Sequence, residues 1–175
     1  MLPVSLDVSR MAIALIGKGE KLGRRHDQLI GCGATDITVF EDAGMLTDEV
    51  IRAFGLVLAV DIDHDAAARI AALARANRIM INIEDMPDYC DFYYASFIQR
   101  GDLMLSVHSK GKSPTLTQRI RDQLALLFPD SWAERLEEMA TKRHQWKNEG
   151  ASMEEIKHRS NQHIDKEGWL VWKKH

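Results

Sequence analysis

The chain has 175 residues, 45% of them hydrophobic and 28% charged, with a formal net charge of −3. That length buries an ordinary core and suits one domain or one and a half, and the mildly acidic balance excludes bulk nucleic-acid binding because no basic field exists to drive counterion release. Two cysteines without metal-ligand spacing favour neither a disulfide framework nor a zinc site, and with no basic leader and no 18-residue apolar run we expect a soluble, cytoplasmic protein that neither is secreted nor spans a membrane.

Residues 11–16 form a short apolar run that reads as a first strand. Gly17-Lys18-Gly19 permits a tight turn into a helix over 20–32, stopped at Gly31-Cys32-Gly33. Asp36 to Phe40 is β-branched and reads as a second strand, closed by Glu41 and Asp42. Thr47 can cap a short helix through Ala53, 55–60 is a buried strand, 65–77 an Ala-rich helix, and 79–83 the next strand. Strands alternating with helices at this spacing predict an α/β domain with a parallel, doubly wound sheet. The pattern changes after Pro87. Two strands, 96–99 and 102–109, are joined at Arg100-Gly101, and Ser113-Pro114 opens a helix over 114–128. A charged helix over 131–148 follows Pro129-Asp130, and Ser152-Met153-Glu154-Glu155 is a capping box for a last one. The chain thus divides into a nucleotide-binding domain over 1–92, a strand-helix region over 93–128 and a helical region over 129–175. The last is so polar that we expect it to cover a partner surface or lie as an appendage.

Three constellations carry chemistry. Glycines at 17 and 19, after a strand and before a helix, let backbone approach a pyrophosphate that the helix N-terminal amides stabilise. Glu41, closing the second strand, suits the ribose hydroxyls of NAD and repels the extra phosphate of NADP; the same residues also suit a plain strand-helix turn followed by a solvated acid. Asp85 sits just past a parallel strand, where a carboxylate can take a proton as hydride leaves a substrate, or can simply cap a turn, as can Asp88 and Asp91. Arg100, Lys110, Lys112, Arg119 and Arg121 make a basic stretch in an acidic protein, fit for a multiply carboxylated ligand or for a solvated helix face. His108 beside this turn can carry a proton or metal role or a structural one.

The segments Leu2-Pro3-Val4, Gly17-Lys18-Gly19-Glu20, Ala59-Val60-Asp61, Asn82-Ile83-Glu84-Asp85-Met86-Pro87 and Gly111-Lys112-Ser113-Pro114, in this order, resemble the precorrin-2 dehydrogenase/sirohydrochlorin ferrochelatase family, the N-terminal module of siroheme synthase. Trp132-Ala133-Glu134-Arg135-Leu136 and Glu167-Gly168-Trp169-Leu170 extend the resemblance over nearly the whole chain. It implies a Rossmann domain binding NAD, a dimerisation region, and a homodimer that oxidises precorrin-2 to sirohydrochlorin, in some members followed by ferrous iron insertion. On this resemblance Asp85 is the acid/base group, Gly17, Lys18, Gly19, Glu20, Glu41 and Asp61 face the cofactor, and His108, Lys110, Lys112 and Ser113 border the tetrapyrrole, whose eight carboxylates give the basic stretch a purpose. No residue is assigned to a resident metal. The alternative is a paralogue that binds tetrapyrrole or nucleotide without turnover, or that only chelates. Four features depart from the family pattern: Leu22 replaces a small residue, Val60 a threonine and Lys110 a glycine, and the stretch from Phe40 to Val57 has room for one helix but hardly for the usual third strand.

Overall fold

The structure is a computed structural model that describes residues 2–170; Met1 and residues 171–175, the end of the expected helical region, lie outside the described residues. Strands β1 (Ala12–Ile16), β2 (Asp36–Phe40), β3 (Leu56–Ala59) and β4 (Met80–Ile83) form one parallel sheet in the order β2-β1-β3-β4. Successive side chains of a strand point to opposite faces, and both faces are buried. Ile13, Leu15, Leu56 and Leu58 join Leu22 and Leu29 of α1 (Gly19–Gly31) on one side. Ala14, Ile16, Val57, Ala59, Ile81 and Ile83 meet Ala67, Ile70, Ala71 and Ala74 of α3 (His64–Ala76) on the other. This double burial is why the central strands read as unbroken apolar runs. The result is the α/β, Rossmann-like architecture anticipated above.

Between β2 and β3 the chain makes a 3-10 turn (Ala43–Met45) and α2 (Asp48–Ile51), capped by the Thr47 hydroxyl, which accepts from Val50 N at 3.3 Å. The helix stops at Ile51, short of Ala53, where Phe54 turns in edge-on against Phe40 with ring centroids 5.8 Å apart. One helix and no strand fill this segment, so the order reverses between β1 and β3. That reversal opens a crevice at their carboxyl ends.

The chain divides after Tyr93 into two compact units. In the second, β5 (Ser96–Arg100) and β6 (Leu103–Val107) form an antiparallel hairpin, followed by α4 (Pro114–Leu127), α5 (Trp132–Asn148) and α6 (Met153–Lys166). β6 ends at Val107, two residues short of the expected strand, because the Lys110 amide turns back to donate to His108 Nδ1 at 3.0 Å. The C-terminal helices are no appendage. Arg100 Nε donates to the Phe128 carbonyl at 2.8 Å, and Ala133 of α5 packs against Gly101 of the hairpin turn. Arg135 lies between Trp132 and Trp169, 5.0 and 5.7 Å from their rings, and Ile156 of α6 is buried. The capping box at Ser152 and Glu155 is formed in full.

Gly17 and Gly19 separate two kinds of glycine requirement. A Cβ on Gly17, at φ +145°, would collide with the Val60 carbonyl and lie 2.7 Å from Val60 Cγ2, whereas one on Gly19, at φ +65°, would meet nothing within 4 Å. Gly17→Ala should therefore cost about 3 kcal/mol or more, a forced backbone shift added to the conformational penalty, and Gly19→Ala only about 1 kcal/mol. Equilibrium urea denaturation checks the difference.

Candidate active site

Helix α1 begins at Gly19 without a side-chain cap. Lys18 is its N-cap residue and contributes no side-chain capping bond, as Ser131 contributes none to α5, whereas Thr47, Asp63, Ser113 and Ser152 each cap the helix they precede. First-turn amides without such an acceptor attract negative charge, aided by the helix dipole. Gly19 keeps the approach open. Glu20 lies in the same turn, 3.7 Å from Arg24, and Glu41 and Asp61 are exposed just past β2 and β3. Leu22, where a small residue is usual, packs into the core beneath α1, so the bulk is absorbed away from the crevice. Val60 supplies the carbonyl that Gly17 must approach.

Asp85 stands two residues beyond β4, in a turn closed by Met86 N donating to Ile83 O at 3.2 Å. Its φ of +64° is left-handed, as is that of Asp61 (+54°) past the neighbouring strand. Aspartate tolerates this region better than most residues, at some cost. The Cys90 thiol clasps the turn from below. Its Sγ lies 3.2 Å from Ile83 O and 3.3 Å from Met86 O, which share its single S–H as acceptors, and accepts from Ile83 N and from Asn82 Nδ2. Burial pushes this thiol up, so it stays protonated and able to donate. Buried Asn82 also donates to Phe92 O at 2.8 Å, and Asp91 pairs with the Ile81 backbone, accepting from Ile81 N at 3.1 Å and donating its own amide to Ile81 O at 2.8 Å. The segment 90–92 thereby closes the free edge of β4.

Two basic residues of α1, one turn apart, reach this turn. Lys21 Nζ lies 3.2 Å from Asp85 Oδ2, and Arg25 Nη2 lies 3.2 Å from Glu84 Oε1. The hydrogen bond and charge of Asp85, followed by Glu84 and Asp61, push the Lys21 ammonium up. Asp61 follows β3, Glu84 and Asp85 follow the adjacent β4, and Lys21 and Arg25 of α1 reach the latter two. Of these, Lys21 and Arg25 escaped the sequence reading, and Glu84 figured there only within the motif over 82–87. A basic pair at i, i+4 was visible, but nothing in the spacing names its partners some 60 residues away.

In the second unit the turn from His108 to Ser113 gathers the remaining candidates. Lys110 adopts φ +54°, the conformation that the family's usual glycine would take without strain. Lys112 N donates to Ser109 O at 3.1 Å, and Ser113 Oγ accepts from Leu116 N at 3.3 Å as the cap of α4. His108, Ser109, Thr117 and Arg121 border a cavity of about 380 Å³ with Tyr94 and Ser96. The basic stretch is not one patch, because Arg100 is committed to Phe128 O and to Asp130 at 3.1 Å. Among the described residues no group of three or more His, Cys, Asp and Glu side chains could hold a metal ion, and no helix is long and apolar enough to cross a membrane.

Residues 4–96 match a family model described as "Putative NAD(P)-binding". The siroheme synthase of Tolumonas auensis is 29% identical over 168 residues, covering 85% of this chain, and that of Methylococcus capsulatus is 29% identical over 146 residues, covering 73%. The chain spans about a third of each, 34% and 31%. The solved structure of SirC, a precorrin-2 dehydrogenase, superposes with a TM-score of 0.74 over 98% of this chain and 93% of its own, at 18% identity, which establishes a shared fold.

Two outcomes follow from the clasp and the turn. With its thiol half-buried, hydrogen-bonded and pushed up, Cys90 should be alkylated by iodoacetamide at neutral pH at least tenfold more slowly than exposed Cys32, the gap closing in urea; peptide mass mapping reads both sites. Lys110→Gly should leave stability unchanged or raise it by about 0.5 kcal/mol, relief of the left-handed backbone outweighing the added freedom of the unfolded chain. Urea midpoints check this.

Proposed function

From the premise that the chain belongs to the NAD(P)-binding family that includes the N-terminal module of siroheme synthase, we propose that it oxidises precorrin-2 to sirohydrochlorin with NAD. The observation that carries this reading is the placement of Asp85: a carboxylate held past β4 by the Cys90 clasp, on the same sheet edge as the uncapped start of α1. The residues fit a dinucleotide. Gly17, Lys18, Gly19 and Glu20 form the turn and first helical residues that would receive its diphosphate, Asp61 borders the crevice, and Glu41 would accept from ribose hydroxyls and select NAD over NADP.

The bound nicotinamide supplies the acceptor for a hydride. The chain's own contribution is to hold the base. Asp85 would take the proton that the macrocycle gives up alongside the hydride, which balances a two-electron oxidation with one proton left on the carboxylate or passed to solvent. His108, Lys110, Lys112 and Ser113 would meet the substrate's acetate and propionate groups through cationic and hydroxyl donors. Ser113 remains able to donate its hydroxyl hydrogen while its oxygen caps α4.

Ferrous iron insertion is a second step open to the same carboxylate, with iron as substrate. We read residues 93–128 as the dimerisation and substrate region and 129–175 as a helical region. A homodimer fits the exposure of Leu116 and Ile120 on α4 and of Met104 on β6. Two unpaired cysteines suit a reducing cytoplasm.

Anaerobic incubation with enzymatically generated precorrin-2 and NAD should yield NADH and sirohydrochlorin in equal amounts, and NADP should serve poorly. Asp85→Asn should lower turnover about 10²- to 10⁴-fold while the protein still binds NAD. Bound tetrapyrrole with no NADH from the unaltered protein would instead identify a non-catalytic or chelatase-only paralogue.

A further inference from the structure

Lys21 occupies a position that neither the turn nor the acid explains by itself. It is the third residue of α1, the helix that follows β1, yet its ammonium reaches Asp85 beyond β4. β3 lies between those two strands. The Lys21 side chain therefore runs across the carboxyl end of β3, where Asp61 adds its charge, and lies over the crevice that opens at the β1/β3 reversal. A dinucleotide laid on this edge with its diphosphate at the start of α1 passes beside that ammonium.

The two bridges differ in how readily they can open. Arg25 and Glu84 are 13% and 31% exposed, so separating them strands charge in a partly buried place. Lys21 and Asp85 are 40% and 80% exposed, and a pair that wet is weak and exchangeable. A diphosphate offers Lys21 more negative charge than one carboxylate.

We propose that Lys21 is a positioning residue shared between Asp85 and the dinucleotide diphosphate: nucleotide binding draws Lys21 away from Asp85 and leaves that carboxylate free to take a proton. This rests on the reading of a dinucleotide site given above. Arg25 and Glu84 keep the turn in place during the exchange. Coupling of this kind is reciprocal, so whatever releases Lys21 from Asp85 must also favour nucleotide.

The test is a double-mutant cycle of NAD binding to the full chain, read by isothermal titration calorimetry at about 0.1 M salt, with no turnover required. Asp85→Asn should tighten NAD binding about two- to fivefold and Lys21→Met should weaken it by a similar factor, the range expected of an exposed pair. In the Lys21→Met background Asp85→Asn should have no effect, and Lys21→Arg should restore the response. Equal tightening by Asp85→Asn in both backgrounds would mean simple charge repulsion and overturn the proposal, as would no tightening in either. If the unaltered chain binds NAD and the cycle is additive, only the role of Lys21 falls. If it binds neither NAD nor NADP, the dinucleotide reading falls with it.

Discussion

The geometry of the carboxyl edge depends on a relay of three backbone hydrogen bonds that continue the sheet one step past its strands. Gly17 N donates to Phe40 O at 3.0 Å, Val60 N to Ile16 O at 2.9 Å, and Glu84 N to Ala59 O at 2.9 Å. Each bond fixes the first residue beyond one strand against the last residue of its neighbour, so position passes from β2 to β1, from β1 to β3 and from β3 to β4. The middle step requires Gly17 and Val60 to touch backbone to backbone, and only a residue without Cβ permits that. Glu41, the start of α1, Asp61 and Asp85 all leave the sheet from this relay. Their mutual placement is thus a property of the sheet register more than of the loops.

Both aspartates pay for their position with backbone strain. Left-handed φ at a non-glycine residue costs on the order of 1 kcal/mol, and a turn would ordinarily shed it by taking glycine or asparagine. At Asp85 the surrounding bonds overdetermine the conformation: Met86 closes the turn, Cys90 bridges both its ends, and Asp91 and Asn82 fasten the segment after it to β4. Strain that is held by so many contacts marks a side chain whose direction matters. Cys90 contributes through hydrogen bonding by a thiol kept protonated, which is why it has no spacing to a second cysteine and no visible signature in the sequence.

What could be read from the sequence follows the range of each interaction. The strands, α1, α3, α4 and the α6 capping box were legible because their signals are local: apolar runs buried on both faces, Gly-x-Gly after a strand, Ser-Pro, and Ser-x-x-Glu. The lost third strand was legible from length alone. The packing of the last helices was not, because it rests on Arg100 reaching Phe128 and Asp130 and on Arg135 stacking with two tryptophans, while α5 has no buried residue and α6 only Ile156 and Ser160. Arg100 illustrates the limit well. In sequence it belongs to a basic stretch; in space it clamps the hairpin to the end of α4. The candidate site divides in the same way, with Asp85, Glu84 and Gly17 marked by their strands and the partners Lys21 and Arg25 visible only once α1 and the β4 turn are brought together.

The shortened sheet bears on whether a dinucleotide crevice survives at all. Among the described residues no strand pairs with the outer edge of β2, which is only five residues long and leaves Val39 exposed on it. The missing strand would have extended the sheet on that side. The crevice, however, belongs to β1 and β3, whose register runs unbroken from Ile13 against Leu56 to Ile16 against Ala59, and the far edge at β4 is closed by segment 90–92. The loss therefore falls outside the strands that shape the ligand edge. What it removes is wall beyond Glu41, on the side where the adenosine half of a dinucleotide would lie, and it leaves the turn at Gly17 and Gly19, Lys21 and Asp85 in their full setting. The α1 end of this edge keeps both of its cations, Lys21 at 3.2 Å from Asp85 and Arg25 at 3.2 Å from Glu84.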